Sequence, residues 1–553
     1  MTTDPTLDQS IEQTAARFGR RGFLGAAAAV TGSVAFAPVA AAAPQQARAA
    51  AVVNDRPAPI NQLPPGAVSL VPIQPGAVQS AISRLDDIIR DVLNRTGVPG
   101  LAAAVVHDDT IKFARAYGVR DLTTGLPVTV DTVFQLASVS KPLASTVIAR
   151  AVGDGRLDWT DPIVKYRPSF ALKDPYVGAH VTVEDMLSHR SGLPAAAGDL
   201  LEDLGYQQDY VLGKLVMEPL TPMRTTYAYS DFGYTAGAVA AAAAVGLSWE
   251  DMADILLFGP LGMTSTSYRH SDFVNEPNHT AMHARINGTW QQAYQRNADP
   301  QAPAGGANSS VMDLTRWLRL HLADGVWEGK QLIPAGALAR TRQPVIPLSP
   351  PSIPISRTSF YGLGFDLSDD AAARVRWSHS GAFFQGASTA VLMLPSANLG
   401  LVVLTNGMPV GAPEAIGAYF LDYVEAGKFQ RDWLAGYGAQ FAADMANQSQ
   451  LAPPNQPPAN PAPAKPNAFY AGTYQNSFYG PITITPSLHL LIGPHPNDYP
   501  LTHWDGNVFS FYPTGENAVG ITAATFTPNP AGTQAGSVTL EYYNDDGLGT
   551  FTR

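Results

Sequence analysis

Phe134-Gln135-Leu136-Ala137-Ser138-Val139-Ser140-Lys141-Pro142 decides how this 553-residue chain is read. The first four residues are an apolar lead-in, and Pro142, with no amide hydrogen to give, is tolerated only in the first turn of a helix. A helix is therefore expected to begin close to Ser138, which puts Ser138 and Lys141, three residues apart, on one face. Of the eight lysines in the chain, Lys141 alone has a serine three positions before it. A serine at a helix start feels the positive end of the helix dipole, and a neutral amine one turn on can take its proton, which activates a hydroxyl as a nucleophile. A solvated helix pair would show the same spacing, so the rest of the chain has to decide.

Two further elements bear on it. Tyr229-Ser230-Asp231 stands directly before an apolar helical run at 232–245, where the plain alternative is a buried core tyrosine. His379-Ser380-Gly381 opens Ala382-Phe383-Phe384, a run expected to form a sheet-edge strand, where the plain alternative is an ordinary turn. Together, in this order and at these wide separations, the three stretches describe one catalytic set rather than three accidents.

Around them the chain alternates between signals. At 84–95, Leu85, Ile88, Ile89, Val92 and Leu93 form one apolar helical stripe ending at Gly97, and the domain is expected to start there. Strand-like runs at 101–107 and 111–117, joined by Asp108-Asp109-Thr110, suit a hairpin. Thr182, Ser248 and Ser310, each followed three residues later by Asp185, Asp251 and Asp313, read as capping boxes of helices in the middle of the chain. Strands return at 390–394 and 401–405, followed by an amphipathic helix containing Ile416, Phe420 and Val424. The fold class expected is α+β, an antiparallel sheet flanked by helices with a helical subdomain, at residues 81–446. Residues 447–467, with seven prolines from Pro453 to Pro466, read as a semi-rigid linker, and 468–553, all short β-type runs, as a small all-β barrel or sandwich. All three motifs precede that linker, so the chemistry they carry is expected to need nothing from the last domain.

Ahead of the domain, 44–80 is a Pro- and Ala-rich leader, and 1–43 carries Arg20-Arg21-Gly22-Phe23-Leu24 before a weakly apolar, Ala-rich stretch ending in small residues. That is the pattern of a twin-arginine signal peptide, which places the mature protein in the periplasm or outside the cell with no remaining membrane span. Hydrophobic residues at 45% and charged residues at 15% describe a chain with a sizeable buried core and exclude wholesale disorder. A net charge of −11 without a long basic run argues against a nucleic-acid partner. With no cysteine, disulfides, iron–sulfur clusters and Cys-ligated zinc are excluded.

From about 84 to 430 the chain resembles the penicillin-recognising serine hydrolases, specifically the class C β-lactamase and DD-peptidase group. Besides the three motifs, the resemblance covers Gly155-Arg156-Leu157-Asp158, Leu187-Ser188-His189-Arg190-Ser191-Gly192-Leu193-Pro194, Pro260-Leu261-Gly262-Met263 and Pro303-Ala304-Gly305-Gly306. Gly472-Thr473-Tyr474, Tyr479-Gly480 and Pro500-Leu501-Thr502-His503-Trp504 look like a small β domain appended to some of these hydrolases. The resemblance implies an acyl-enzyme mechanism without a cofactor or metal. Ser138 would attack a carbonyl, Lys141 and Tyr229 would share the acid and base work, and the backbone amides of Ser138 and Ala382 would form the oxyanion hole. Asp231 and Gly381 would contact substrate, and His379 would complete the catalytic set with its ring expected beside the acylated carbonyl. Two positions depart from the family pattern: many members have Asn where Asp231 stands, and many β-lactamases have Lys where His379 stands. A histidine with a reference pKa of ~6.5 is mostly neutral at pH 7, so it offers no fixed positive charge to a β-lactam carboxylate.

The expected substrate is thus a small molecule or peptide with an amide or ester bond: a D-amino-acid peptide, an ester or a β-lactam-like compound. A lipase-type G-x-S-x-G elbow does not occur in the chain. A metal pair at His279 and His283 sits among loop-forming residues, and His189 and His503 are expected to be satisfied structural histidines. The rival of a different class is a non-catalytic penicillin-binding-type binding or assembly protein, with the β domain as its interaction module; oligomerisation through that domain is left open.

Overall fold

The computed structural model describes residues 68–553 apart from Leu70, Ser349, Ser352 and Val519. Residues 1–67, which hold the expected signal peptide and most of the expected leader, lie outside the described residues. Helix α1, Ala77–Thr96, begins seven residues earlier than the 84–95 stripe suggested, because Val78, Ala81 and Ile82 continue the same buried face back to Gly76. Its end is the expected one: Gly97, at φ 67°, takes the left-handed position that closes a helix and donates to the Leu93 carbonyl at 2.7 Å.

An eight-stranded antiparallel sheet follows. Strands β1 (Gly100–His107) and β2 (Thr110–Gly118) form the hairpin, and Asp108 and Asp109 both adopt positive φ in its two-residue turn. The remaining strands come from the other end of the domain: β3 (Ile346–Pro347), β4 (Phe360–Tyr361), β5 (Asp366–Asp369), β6 (Val375–Phe383), β7 (Ala387–Leu394) and β8 (Leu399–Thr405). Their order is β2-β1-β8-β7-β6-β5-β4-β3, so β1 pairs with β8 and the two ends of the domain close the sheet. Strand β6, which carries His379, is an interior strand and not the expected edge. The reason is that the polar, proline-rich region before it still supplies three short outer strands.

Central strands bury both faces. Along β1, Leu101, Ala103 and Val105 join the core beneath α1 and α5 (Ala412–Ala426), while Ala102, Ala104 and Val106 join the core under the helical subdomain. That subdomain includes α2 (Ser140–Gly153), α3 (Asp231–Val245) and α4 (Val311–Leu322). Of the three expected capping boxes only Thr182/Asp185 is reciprocal. Ser248 and Ser310 cap through their hydroxyls, but Asp251 is drawn away to Arg269 and Asp313 to Ser265 and Thr266.

The last domain is two antiparallel sheets: β9 (Gly472–Tyr474), β10 (Ile482–Ile484), β11 (His489–Ile492) and β12 (Asn497–Pro500), then β13 (Thr502–Asp505), β14 (Val508–Phe511), β15 (Thr522–Pro528), β16 (Ala535–Leu540) and β17 (Thr550–Thr552). A bridge between Gln475 and Thr552 joins the first strand region to the last. Residues 447–466 form neither helix nor strand, yet they are not a free spacer. Leu451 and Ala452 are buried, the Ser449 hydroxyl and Gln450 amide both donate to Glu541, and the Ala462 amide donates to Asp505. The proline-rich segment is thus laid along the β domain. Among the described residues no single helix is long and apolar enough to cross a membrane.

Candidate active site

Ser138 lies in a 3-10 turn, Ala137–Val139, and α2 starts two residues later at Ser140. Ala137 holds φ 47°, a conformation that costs a non-glycine residue ~1–2 kcal/mol and that the surroundings must hold in place. They do: the Ser140 hydroxyl donates to the Ala137 carbonyl at 2.6 Å and accepts from the Ala307 amide at 2.9 Å, and the Thr389 hydroxyl donates to the Leu136 carbonyl at 2.7 Å. The turn is thereby clamped between the helical subdomain and the sheet.

Lys141 is fully buried one turn on. Its Nζ donates to Ser138 Oγ at 3.1 Å, to the Ala304 carbonyl at 3.0 Å and to Asp231 Oδ1 at 2.5 Å. Burial pushes the lysine pKa down from its ordinary value, and Asp231 partly opposes that shift. The Pro303-Ala304-Gly305-Gly306 stretch thus enters the site as a backbone acceptor. Asp231 is the first residue of α3, whose N-cap is Ser230, so its charge also sits at the favourable end of that helix.

Tyr229 packs its ring against the ammonium, with Nζ 4.4 Å from the ring centroid. Its hydroxyl is buried without a hydrogen-bond partner among the described residues. Burial holds its pKa well above the usual phenol value; Asp231 adds to the shift and the Ser138 hydroxyl opposes it. His189 lies against Tyr229, with ring centroids 4.4 Å apart, and its Nδ1 accepts from the Ser230 amide at 3.1 Å. The expectation that His189 is a satisfied structural histidine holds for that nitrogen alone, since Nε2 has no hydrogen-bond partner among the described residues. The sequence showed His189 as part of a familiar stretch and as an expected structural histidine, not as a neighbour of Tyr229. His503 lies in the β domain, its Nε2 facing the Gly506 carbonyl at 3.1 Å.

Strand β6 passes directly over the serine turn. A Cβ added to Gly381 would stand 2.2 Å from the Leu136 carbonyl oxygen and 3.0 Å from the Ser138 nitrogen, so only glycine permits this approach. His379 shares the face of Gly381, two residues away, whereas Ala382 is three away and its side chain is on the opposite face. What needs correction is the reason for placing the ring: His379 shares the face of Gly381, which meets the serine turn, and not that of Ala382, and its ring centroid lies 6.5 Å from that of Tyr229. His379 is 1% exposed and both ring nitrogens are engaged, Nε2 with the Tyr361 hydroxyl at 2.9 Å and Nδ1 with the Ser380 carbonyl at 2.6 Å. Nδ1 donates to that carbonyl and Nε2 accepts from the tyrosine, which describes a neutral ring. Burial first, and then Lys141, lower its pKa to about 3. Tyr361 was not read from the sequence; it precedes Gly362 and Gly364, and Gly364, at φ 104°, packs on the Lys141 carbonyl.

Ala137, Met282, Ala298, Phe383 and Ala387 form a small apolar cluster beside the turn, bordered by a cavity of about 250 Å³ lined in part by Gln135, Met282 and Arg296. A larger cavity of about 590 Å³, lined by Arg84, Tyr423, Phe429 and Asp432 among others, contains none of the site residues. The two histidines weighed as a metal pair are engaged elsewhere. His283 bonds the Leu122 amide and the Asn406 carbonyl, and His279 faces the Glu276 carbonyl.

Comparison with known proteins bears on the family of the chain. The chain is 26% identical over 421 residues to an unguisins hydrolase of Aspergillus campestris, covering 72% of this chain and 76% of that protein. It is 29% identical over 266 residues to penicillin-binding protein 4 of Amycolatopsis lactamdurans (45% of this chain, 66% of that protein). Over 208 residues it is 29% identical to esterase EstB of Burkholderia gladioli, covering 34% and 52% of the two chains. The octameric penicillin-binding protein homologue from Pyrococcus abyssi shares the fold, with a TM-score of 0.55 at 17% identity over 83% of this chain and 98% of that one. The beta-lactamase family model matches residues 85–425, a span that holds Ser138, Lys141, Tyr229 and His379, and the chain belongs to that family.

Proposed function

We propose that this protein is a serine hydrolase, exported by the twin-arginine route, that works through an acyl-serine on amide or ester bonds. The observation that carries the reading is the contact of Ser138 Oγ with a fully buried Lys141 Nζ at 3.1 Å beneath Tyr229. In this reading Lys141, its ammonium form disfavoured by burial, takes the proton of Ser138 as the hydroxyl adds to the substrate carbonyl. The amides of Ser138 and Ala382 hold the oxyanion, and Tyr229, kept in its neutral form, hands a proton to the leaving group and is reprotonated with the proton that Lys141 took from Ser138. A water then repeats the sequence to release the acid.

The same site argues for a substrate without a carboxylate next to the scissile bond. Lys141 is already paired with Asp231, and His379 is neutral and committed to Tyr361 and Ser380. Neither offers an unpaired positive charge, so uncharged esters and internal amides of D-amino-acid peptides fit the site better than penicillins. Treatment of the full chain with a fluorophosphonate should add one adduct by intact mass, absent in Ser138→Ala. An adduct that persists in that variant refutes the assignment of the nucleophile.

A further inference from the structure

The β domain reaches the end of strand β6 through the Glu516 side chain. Glu516, in the loop between β14 and β15, is 8% exposed; its Oε1 accepts from the Phe384 amide at 2.5 Å and its Oε2 from the Gln385 amide at 3.3 Å. Phe384 and Gln385 form the turn that leaves β6 directly after Gly381-Ala382-Phe383 and returns as β7. The loop itself is tied to the helical subdomain. Asp203 accepts from the Glu516 and Asn517 amides at 2.9 and 3.1 Å and from the Asn517 side chain at 3.0 Å, and Gly515 lies so close that a Cβ there would meet the Asp203 carboxyl.

The neighbouring residue, Glu202, belongs to the same junction. It pairs with buried Arg296 at 2.8 Å, whose guanidinium covers the Phe383 ring at 4.6 Å and whose carbonyl accepts from Gln135, three residues before Ser138. The Glu202/Asp203 pair therefore holds both walls of the serine turn, one through Arg296 and one through the β-domain loop. Three further bonds fasten the domains nearby: Tyr206, Tyr210 and Lys214 donate to the carbonyls of Tyr479, Phe478 and Ser477.

We infer that the β domain is part of the acyl-transfer site, with Glu516 as a positioning residue that fixes the β6–β7 turn and so sets the Ala382 amide against Ser138. This rests on the reading of Ser138 as the acylated residue. A buried carboxyl that bonds two consecutive amides of a turn removes that turn's freedom to shift, and an oxyanion donor displaced by a fraction of an ångström loses much of its effect. Burial pushes the Glu516 carboxyl up to about 8, so the group needs only its acceptor oxygens, which an amide partly reproduces.

The test uses full-length Glu516→Ala, Glu516→Gln and Glu516→Asp with a neutral chromogenic ester. Alanine and aspartate, which remove or withdraw the acceptors, are expected to lower kcat about 10- to 100-fold with KM changed less than about threefold, and glutamine to recover most of the loss. If the alanine variant does not fold, the aspartate variant carries the comparison. Phosphonate labelling of the wild type separates the two ideas. No Ser138 adduct in the wild type overturns the nucleophile, whereas a normal adduct with alanine and aspartate variants within twofold of wild-type kcat overturns the role of Glu516 alone.

Discussion

Asp231 Oδ1 lies 2.5 Å from Lys141 Nζ in a pocket where the lysine has no solvent exposure. Where the resemblance implies an amide in many relatives, this chain places a carboxylate against Lys141, the proposed base. Burial lowers the lysine pKa, and Asp231 supplies the two largest opposing effects, its charge and its hydrogen bond. If the neutral amine is the base, Asp231→Asn removes the groups that favour the ammonium. The acid limb of kcat/KM against pH should then move to lower pH by about 1–3 units. A limb that stays in place shows that Lys141 does not set it.

Lys141→Ala and Tyr229→Phe are each expected to lower kcat/KM by ~10²–10⁴ if both move protons in the transition state. Near-normal rates in both would remove them from the mechanism. The phenylalanine variant is the cleaner of the two, because it keeps the ring that packs on the Lys141 ammonium and removes only the hydroxyl.

Gly381→Ala places a methyl group 2.2 Å from the Leu136 carbonyl oxygen and 2.4 Å from Thr389 Oγ1. Backbone has to move on one side of the serine turn. The expected result is a stability loss of ~1–3 kcal/mol by denaturant unfolding, with kcat/KM down about 10²-fold. Unchanged activity would mean that the approach of β6 to Ser138 is not part of the chemistry.

His379 gives a pH dependence of defined sign. Its pKa is about 3 in the folded protein against the ordinary 6.5, so the unfolded chain binds the extra proton first. The stability that a neutral His379 contributes is complete above pH 6.5 and is lost as pH falls from there toward 3. Relative to His379→Gln, wild-type unfolding free energy should decline by about 1.4 kcal/mol per pH unit across that window. Parallel curves for the two proteins would show that the imidazole is not held neutral.

The sequence alone determined the pairing of Ser138 with Lys141. Ser138 and Lys141 are three residues apart, and Pro142 allows one local conformation, so helix geometry brings them together without help from distant residues. The hairpin turn at Asp108-Asp109, the stripe of α1 and the closure of the sheet by its two ends were legible for the same reason: they follow from periodicity and turn chemistry. What only the tertiary structure decided is what surrounds the pair. Tyr361 against His379, His189 beneath Tyr229, the Ala304 carbonyl on Lys141 and Glu516 on the β6–β7 turn are contacts between segments 18 to 163 residues apart. No local pattern encodes them. The interior place of β6 was hidden likewise, because the strands outside it are too short and too polar to show a period. Protonation follows the same division: which groups are present is written in the chain, but burial and partners, which exist only once the fold has assembled, decide that His379 is neutral and that the ammonium form of Lys141 is disfavoured.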